Sequence, residues 1–319
     1  MSGFGYRVKD GIATRVAISE ALSPGAVDLI WVHLSFGDER AQGWLRDEAH
    51  LPDYVVDALT AVETRPRCEA FDEGALLNLR GRAEDDVAGV SGDLLASVRI
   101  WAVAGRVFSV TRKTMIAVRA VQKTIEAGGI GDPGDLIAEF AAEITEDLDP
   151  QVADLGDQLD DCEQGLDSSR IFELRRTVSR VRVESIGYRR FLQPQRAALE
   201  KLATLPASWL QDDDRLHLSA AADRAARMAE ELESIRERSA LMHEALTDLR
   251  AEQIDTRGLI ISIVAMVFLP LTFITGLYGM NVPLPYQQAP WMFDAIMAAC
   301  AVITAGVVIY FVQRHWFSR

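Results

Sequence analysis

Two uncharged stretches near the C-terminal end dominate the hydropathy of this chain. Gly258 to Tyr278 is an apolar run of about twenty residues, the length needed to cross a bilayer. Trp291 to Val312 is a second such run, interrupted only by Asp294 near its start. Between them, Gly279 to Pro290 is polar or turn-forming. The pattern predicts a C-terminal two-helix transmembrane hairpin within 258–319, with spans of about 258–278 and 291–312. Upstream, Arg215 to Arg257 contains no Gly and no Pro. Leu216, Ala220, Ala225, Met228, Leu232 and Ile235 recur there at helical spacing on a charged background, and the pattern continues to Ile254. This predicts a stalk helix over 207–257, opened by Asp212-Asp213-Asp214, where the helix dipole favours acids. Nothing stops it before the first apolar run, so it is expected to continue into the membrane as one helix of about sixty-five residues, about 100 Å long. A helix-turn-helix folded at Ser239-Ala240 is the alternative.

Residues 1–206 read as an α+β domain, a mixed sheet with helices. Val27 to Phe36, Ala75 to Leu79 and Leu94 to Val103 have the length and residue types of strands. Gly105-Arg106 turns the last of these into Val107–Thr111, a hairpin. Pro52 to Val62 is spaced as a short helix, and Arg82 to Asp93 reads as a surface loop. From Thr114 onward the pattern is helical. Met115 to Glu126 ends at Gly128-Gly129, and Asp132-Pro133 restarts a helix as an N-cap followed by a first-turn proline. Asp135 to Asp167 is dense in carboxylates, including Glu139, Glu143, Glu146, Asp147 and Asp149. Arg170 to Arg196 is the reverse, with Arg175, Arg176, Arg180, Arg182, Arg189 and Arg190. An acidic helix followed by a basic one predicts an antiparallel pair with facing charges. The carboxylates have two readings: an intracellular divalent-cation sensor, or a solvated charged face.

Composition narrows the functional classes. The 319 residues are 49% hydrophobic and 25% charged, with a mean hydropathy of only +0.06, so the membrane part is a minority. Net charge is −14, with the acids concentrated before the hairpin. That excludes an ordinary nucleic-acid partner, which needs a basic face, and suits a protein that attracts cations. Cys68, Cys162 and Cys300 are far apart and form no disulfide framework, as in a reducing compartment. The N-terminus, Met1-Ser-Gly-Phe-Gly-Tyr-Arg7, has no apolar core of the signal-peptide kind. There is no phosphate-binding glycine pattern and no nucleophile–His–acid set, so an enzyme is not expected and no cofactor is implied. His33, His50, His217, His243 and His315 are scattered and form no zinc site by spacing.

Charge sets the orientation of the hairpin. Arg257 precedes the first span, while Arg314, His315 and Arg319 follow the second; the connector has no Lys or Arg. The positive-inside rule places both ends in the cytosol and the connector outside. Tyr278, Tyr286 and Trp291 suit the outer interface, and Tyr310, Trp316 and Phe317 the inner one. Two helices enclose no aqueous path alone, so conduction requires several copies around an axis. In the first span Gly258, Ile261, Ala265, Leu269, Thr272 and Gly276 share one face. This face suits a hydrophobic constriction, or equally a close helix contact built on small residues. Asp255 on the same face would give a ring of carboxylates at the inner mouth. Asn281, in Gly279-Met280-Asn281, would give a ring of neutral amides at the outer mouth. Their oxygens accept hydrogen bonds from the water of a hydrated cation.

Phe268 to Asn281, Phe-Leu-Pro-Leu-Thr-Phe-Ile-Thr-Gly-Leu-Tyr-Gly-Met-Asn, resembles the signature of the CorA family of divalent-cation transporters. The late hairpin and stalk extend the resemblance over essentially the whole chain. Thr64-Arg-Pro-Arg67, Glu73-Gly74, Leu79-Arg80 and Tyr188 to Arg196 are similar to the ZntB branch of zinc transporters. The resemblance implies a funnel-shaped homopentamer in the inner membrane, with self, lipid and divalent cations as partners. It puts Asn281, Met280 and Gly279 on the outer selectivity motif, and Thr272, Leu269, Ala265, Ile261 and Gly258 on the pore lining, with Asp255 near the inner end. The implied cargo is Zn²⁺, with Mg²⁺, Co²⁺ or Ni²⁺ as the alternative. A non-conducting, membrane-anchored metal sensor is the reading from another class. The connector Val282 to Pro290 departs from the family pattern: it has no acid, and prolines stand where the zinc branch has glycines.

Overall fold

The computed structural model describes residues 2–35, 39–63, 65–71, 74–84, 95–167, 170–281 and 289–316, with only the backbone for Glu39 and residues 314–316. Contacts divide the chain into two compact units, 1–165 with 175–242, and 166–174 with 243–319.

The first unit is built on a seven-stranded sheet in the order β2-β1-β3-β7-β6-β5-β4. Its strands are β1 (Ser2–Lys9), β2 (Ile12–Val16), β3 (Leu29–Ser35), β4 (Arg67–Phe71), β5 (Gly74–Arg82), β6 (Leu95–Val103) and β7 (Arg106–Thr111). Only β3 and β7 run parallel, with Trp31 opposite Val107; the other neighbours are antiparallel. Three strands match the apolar runs read from the sequence, and the hairpin at Gly105 forms as expected. The N-terminal hairpin was not legible as strands. Its two-residue turn is Asp10-Gly11, both at positive φ (51° and 74°), the geometry that matches strand twist.

Period-two alternation sends the sheet's side chains to two different cores. From β3, Ile30, Val32 and Leu34 enter a cluster with Leu45, Val55 and Leu59. These come from α2 (Glu39–Asp47) and α3 (Asp53–Thr60), while α1 (Ile18–Ala21) adds Ala21. On the opposite face Trp31 meets Phe140 edge-on, with ring centroids 5.6 Å apart. Phe140 belongs to α5 (Pro133–Gln164), which packs beside α4 (Ile116–Glu126). The cap read at Asp132 is present: its carboxylate accepts from Gly134 N (2.8 Å) and Asp135 N (3.0 Å), with Pro133 opening the helix.

The basic helix is α6 (Ile171–Ala203), and α7 (Asp212–Tyr278) follows as one helix of 67 residues. No turn interrupts it at Ser239, which is a buried helix residue. The expected charge pairing between α5 and α6 takes a different form. Acids of α5 pair with arginines of α7: Arg224 with Glu146 (3.2 Å) and Arg238 with Glu163 (2.8 Å) and Asp160. From α6, Arg189 also turns to α7, at Glu233 (2.9 Å), and Arg180 donates to Gln158 of α5. The charges of consecutive helices satisfy a three-helix layer, whose third member lies too far along the chain for a pairwise reading to include.

The second unit holds the end of α7 and α8 (Met292–Trp316). Arg250 lies over the Phe172 ring at 5.6 Å. Both helices carry segments long and apolar enough to cross a membrane.

Candidate pore helix and its C-terminal end

The apolar part of α7 is not uniformly exposed. Leu259, Ile263, Val267, Pro270, Leu271, Ile274 and Tyr278 are half-buried, and their other neighbours are exposed. In α8 the half-buried residues are Met292, Ile296, Cys300, Ile303, Thr304, Val307 and Phe311, also on one face. One-sided shielding at helical spacing on both members is what a packed hairpin produces.

The sequence-derived stripe lies opposite this covered face. Ile261, Ala265, Leu269, Thr272 and Gly276 each follow a half-buried residue by two positions, about 200° around a helix. Gly258 and Asp255 fall on the same side, and all seven are exposed. Leu269 is 75% and Ile261 69% exposed, although both are large and apolar. The small residues therefore do not serve contact with α8: a Cβ added at Gly258 or Gly276 would meet nothing within 4 Å.

Hydroxyls along the helix divide by role. Ser262 and Thr275 donate back to the carbonyls of Gly258 and Leu271, both at 2.9 Å. The Thr272 carbonyl accepts from Thr275 Oγ1 at 3.3 Å, but its own hydroxyl makes no hydrogen bond among the described residues, so the stripe carries one unspent hydroxyl. Pro270 sits inside the continuous helix and cannot donate to the Met266 carbonyl. After Tyr278 the chain closes with Gly279 N to Thr275 O (2.9 Å) and Met280 N to Leu277 O (3.4 Å). A Cβ at Gly279 would come to 3.1 Å from the Thr275 carbonyl, a tight approach that glycine avoids. Met280 and Asn281 then project as exposed residues beyond the helix end. Trp291 and Tyr310 are also exposed, while Tyr286, Phe317, Arg319 and the side chains of Arg314, His315 and Trp316 lie outside the described residues, as do connector residues 282–288.

The histidine and acid readings resolve separately. His33 is buried between Ser109 Oγ (2.9 Å from Nδ1) and Thr111 Oγ1 (3.3 Å from Nε2) and stacks on Phe4. Burial pushes its pKa down to about 3, so it is a neutral core residue. A carboxylate group that sequence reasoning missed joins Asp132, Asp135 and Asp214, with oxygens within 4.8 Å of one another. Asp214 is 1% exposed and accepts from Gln211 N at 2.7 Å; Asp135 accepts from Gly131 N at 2.9 Å. Burial, then the fields of Asp132 and Asp135, push the Asp214 carboxyl up to about 6. Each acid thus caps backbone, and the cluster joins the starts of α5 and α7. No local signal connects positions 79 residues apart, such as Asp132 and Gln211.

The segments that set the zinc-branch resemblance meet at the sheet edge. Gln195 Oε1 accepts from Arg80 N at 2.8 Å, and the Arg80 guanidinium lies 5.8 Å from the Phe191 ring centroid. Arg65 O accepts from Asn78 Nδ2 at 2.9 Å. Thr64 and Glu73 lie outside the described residues.

Comparison with known proteins agrees with this geometry. The family described as "CorA-like Mg2+ transporter protein" matches residues 27–314. The chain is 33% identical over 294 residues to the divalent cation transporter CmaX of Pseudomonas aeruginosa, covering 91% of this chain and 86% of that one. It is 29% identical over 288 residues to the zinc transport protein ZntB of Pectobacterium atrosepticum, covering 90% and 87%. The structure of full-length CmaX superposes with a TM-score of 0.77 at 28% identity, over 96% of this chain and 98% of that one. The complete CorA magnesium transporter of Methanocaldococcus jannaschii shares the fold, with a TM-score of 0.79 at 18% identity and 98% coverage of both chains. A sheet domain, an unbroken stalk and a late two-span hairpin, matched along nearly the whole length, place this chain in the CorA-like family of Mg²⁺ transporter proteins.

Proposed function

We infer that the chain forms a homopentameric divalent-cation transporter of the inner membrane, with its N- and C-termini in the cytosol. The observation that carries this reading is the exposed stripe of α7 opposite its covered face, ending at Asn281. Repeated around an axis, Ile261, Ala265, Leu269 and Thr272 line a narrow path that closes by excluding water. Asp255 supplies carboxylates at the inner mouth. Gly279, Met280 and Asn281 form the outer filter, where amide oxygens hold a cation through its own water shell. A neutral filter holds the ion weakly enough to release it.

Zn²⁺ is the favoured cargo, supported by the zinc transport relatives and the absence of an acid in the connector. Mg²⁺, Co²⁺ or Ni²⁺ is the alternative, supported by the family description. Liposomes loaded with a fluorescent indicator measure uptake of Zn²⁺ and Mg²⁺ separately, with and without a pH gradient. Asn281→Ala is expected to lower flux by about tenfold, equivalent to about 1.4 kcal/mol in the barrier. Parent-level flux in this variant would remove the amide-ring mechanism.

A further inference from the structure

Among the described residues, the helical layer of the first unit leaves two exposed faces, one basic and one acidic on balance. On α6, Arg176, Ser179, Val183, Ile186, Arg190 and Gln193 are all exposed, spaced alternately by three and four residues. This is the 3.5-residue repeat of a coiled-coil seam. Val183 is 66% and Ile186 46% exposed, and Arg176 and Arg190 form no ion pair or side-chain hydrogen bond among the described residues. On α7 the same repeat runs from Leu216 to Leu241 through Asp223, Arg227, Glu230, Ser234 and Glu237, all exposed, so this face is acidic on balance with one arginine inside it. Leu216 and Leu241 are 68% and 67% exposed. These residues stand apart from the contacts within the layer, which use Arg189, Arg224, Arg238 and Glu233. Glu237 pairs only loosely within its own helix, with Arg236 at 3.9 Å, and the fields of Asp223 and Glu230 reach Arg196 of α6.

Exposed Val183, Ile186, Leu216 and Leu241 are costly in water, and an exposed basic face is unusual in a chain of net charge −14. We propose that the basic α6 face of one copy packs on the acidic α7 face of the next copy of this chain. The matched repeat supplies interlocking side chains, and Arg176 and Arg190 meet the Asp223–Glu237 acids. The contact joins two different surfaces, so it is head-to-tail rather than two-fold, the kind of contact from which rings are built when the rotation closes. It rests on the homo-oligomer proposed above and specifies which surfaces build it.

Two differently tagged full-length chains, one carrying Ile186→Cys and the other Ser234→Cys, are co-expressed, purified in detergent and mildly oxidised. A disulfide between the two tags, absent from co-expressed parent chains with only the native cysteines, is the expected result. Oligomers without that crosslink would overturn the α6–α7 contact and leave the oligomer standing. A monomeric parent by light scattering would instead overturn the homo-oligomer itself. In a second arm, Arg176→Glu with Arg190→Glu is expected to yield smaller species, and adding Glu230→Arg with Glu237→Arg to restore the ring. Failure of both reversals to change the assembly would also overturn the contact.

Discussion

Asp214 keeps its proton to a higher pH than an ordinary carboxyl because it is buried and two other carboxylates face it. Its pKa is raised from 3.8 to about 6, so the folded chain binds this proton more tightly than the unfolded chain. The stabilisation is complete below the ordinary value and is lost as pH rises to about 6. Asp214→Asn keeps an acceptor for Gln211 N and removes the titration. The thermal midpoint of the parent is therefore expected to fall relative to Asp214→Asn between pH 4 and pH 7. A difference between the two proteins that is constant over this range would contradict the assignment. Gly134 makes the approach feasible: an added Cβ would lie 2.0 Å from Asp214 Oδ2. Gly134→Ala must displace that carboxylate, at a cost of about 1–3 kcal/mol typical of overpacking, read by denaturant titration. Neither role was legible beforehand. Asp132 announced itself as an N-cap because its partners are two and three residues away, whereas its meeting with Asp214 depends on how two distant helix starts pack.

At the scale of the element, legibility followed the range of the force that makes each one. The spans were readable because some twenty consecutive uncharged residues have few stable fates. The stalk was readable because no helix breaker interrupts it between Arg215 and Arg257. The stripe from Gly258 to Gly276 was readable as a face but not as an exposed one, since small residues also serve helix contact. Its position opposite the half-buried face gives it its meaning. Cysteines placed along α7 test this directly in the reconstituted protein. Ala265→Cys and Thr272→Cys are expected to react with a charged, water-soluble thiol reagent several-fold faster than Ile263→Cys and Ile274→Cys. Equal rates at the four positions would remove the lining role. The short strand β4 and the first hairpin escaped the sequence reading because their signals are brief: one edge strand of five residues, and one Asp-Gly turn.

For the whole molecule, the acidic balance and the basic α6 face have opposite effects. Net charge of −14 makes copies repel, while the proposed contact brings opposite charges together. Exposed pairs contribute about 0–1 kcal/mol each and are screened within about 3 Å at 1 M salt. The detergent-purified assembly is therefore expected to shift toward smaller species as salt rises to about 1 M. Sedimentation at increasing salt measures this, and an assembly that tightens instead would show that apolar burial alone holds it.

The pairing of β3 with β7 also sets a timetable for synthesis. β3 is the most deeply buried strand, yet its parallel partner begins at Arg106, more than seventy residues after Leu29. A nascent chain therefore leaves one backbone edge of β3 unpaired until that partner has left the ribosome, and closing so long a loop is intrinsically slow. The first membrane span, from Gly258, is made later still. Translation thus gives the sheet a head start of nearly one hundred and fifty residues, from Thr111 to Gly258, in which to bury its centre before the hairpin engages the bilayer.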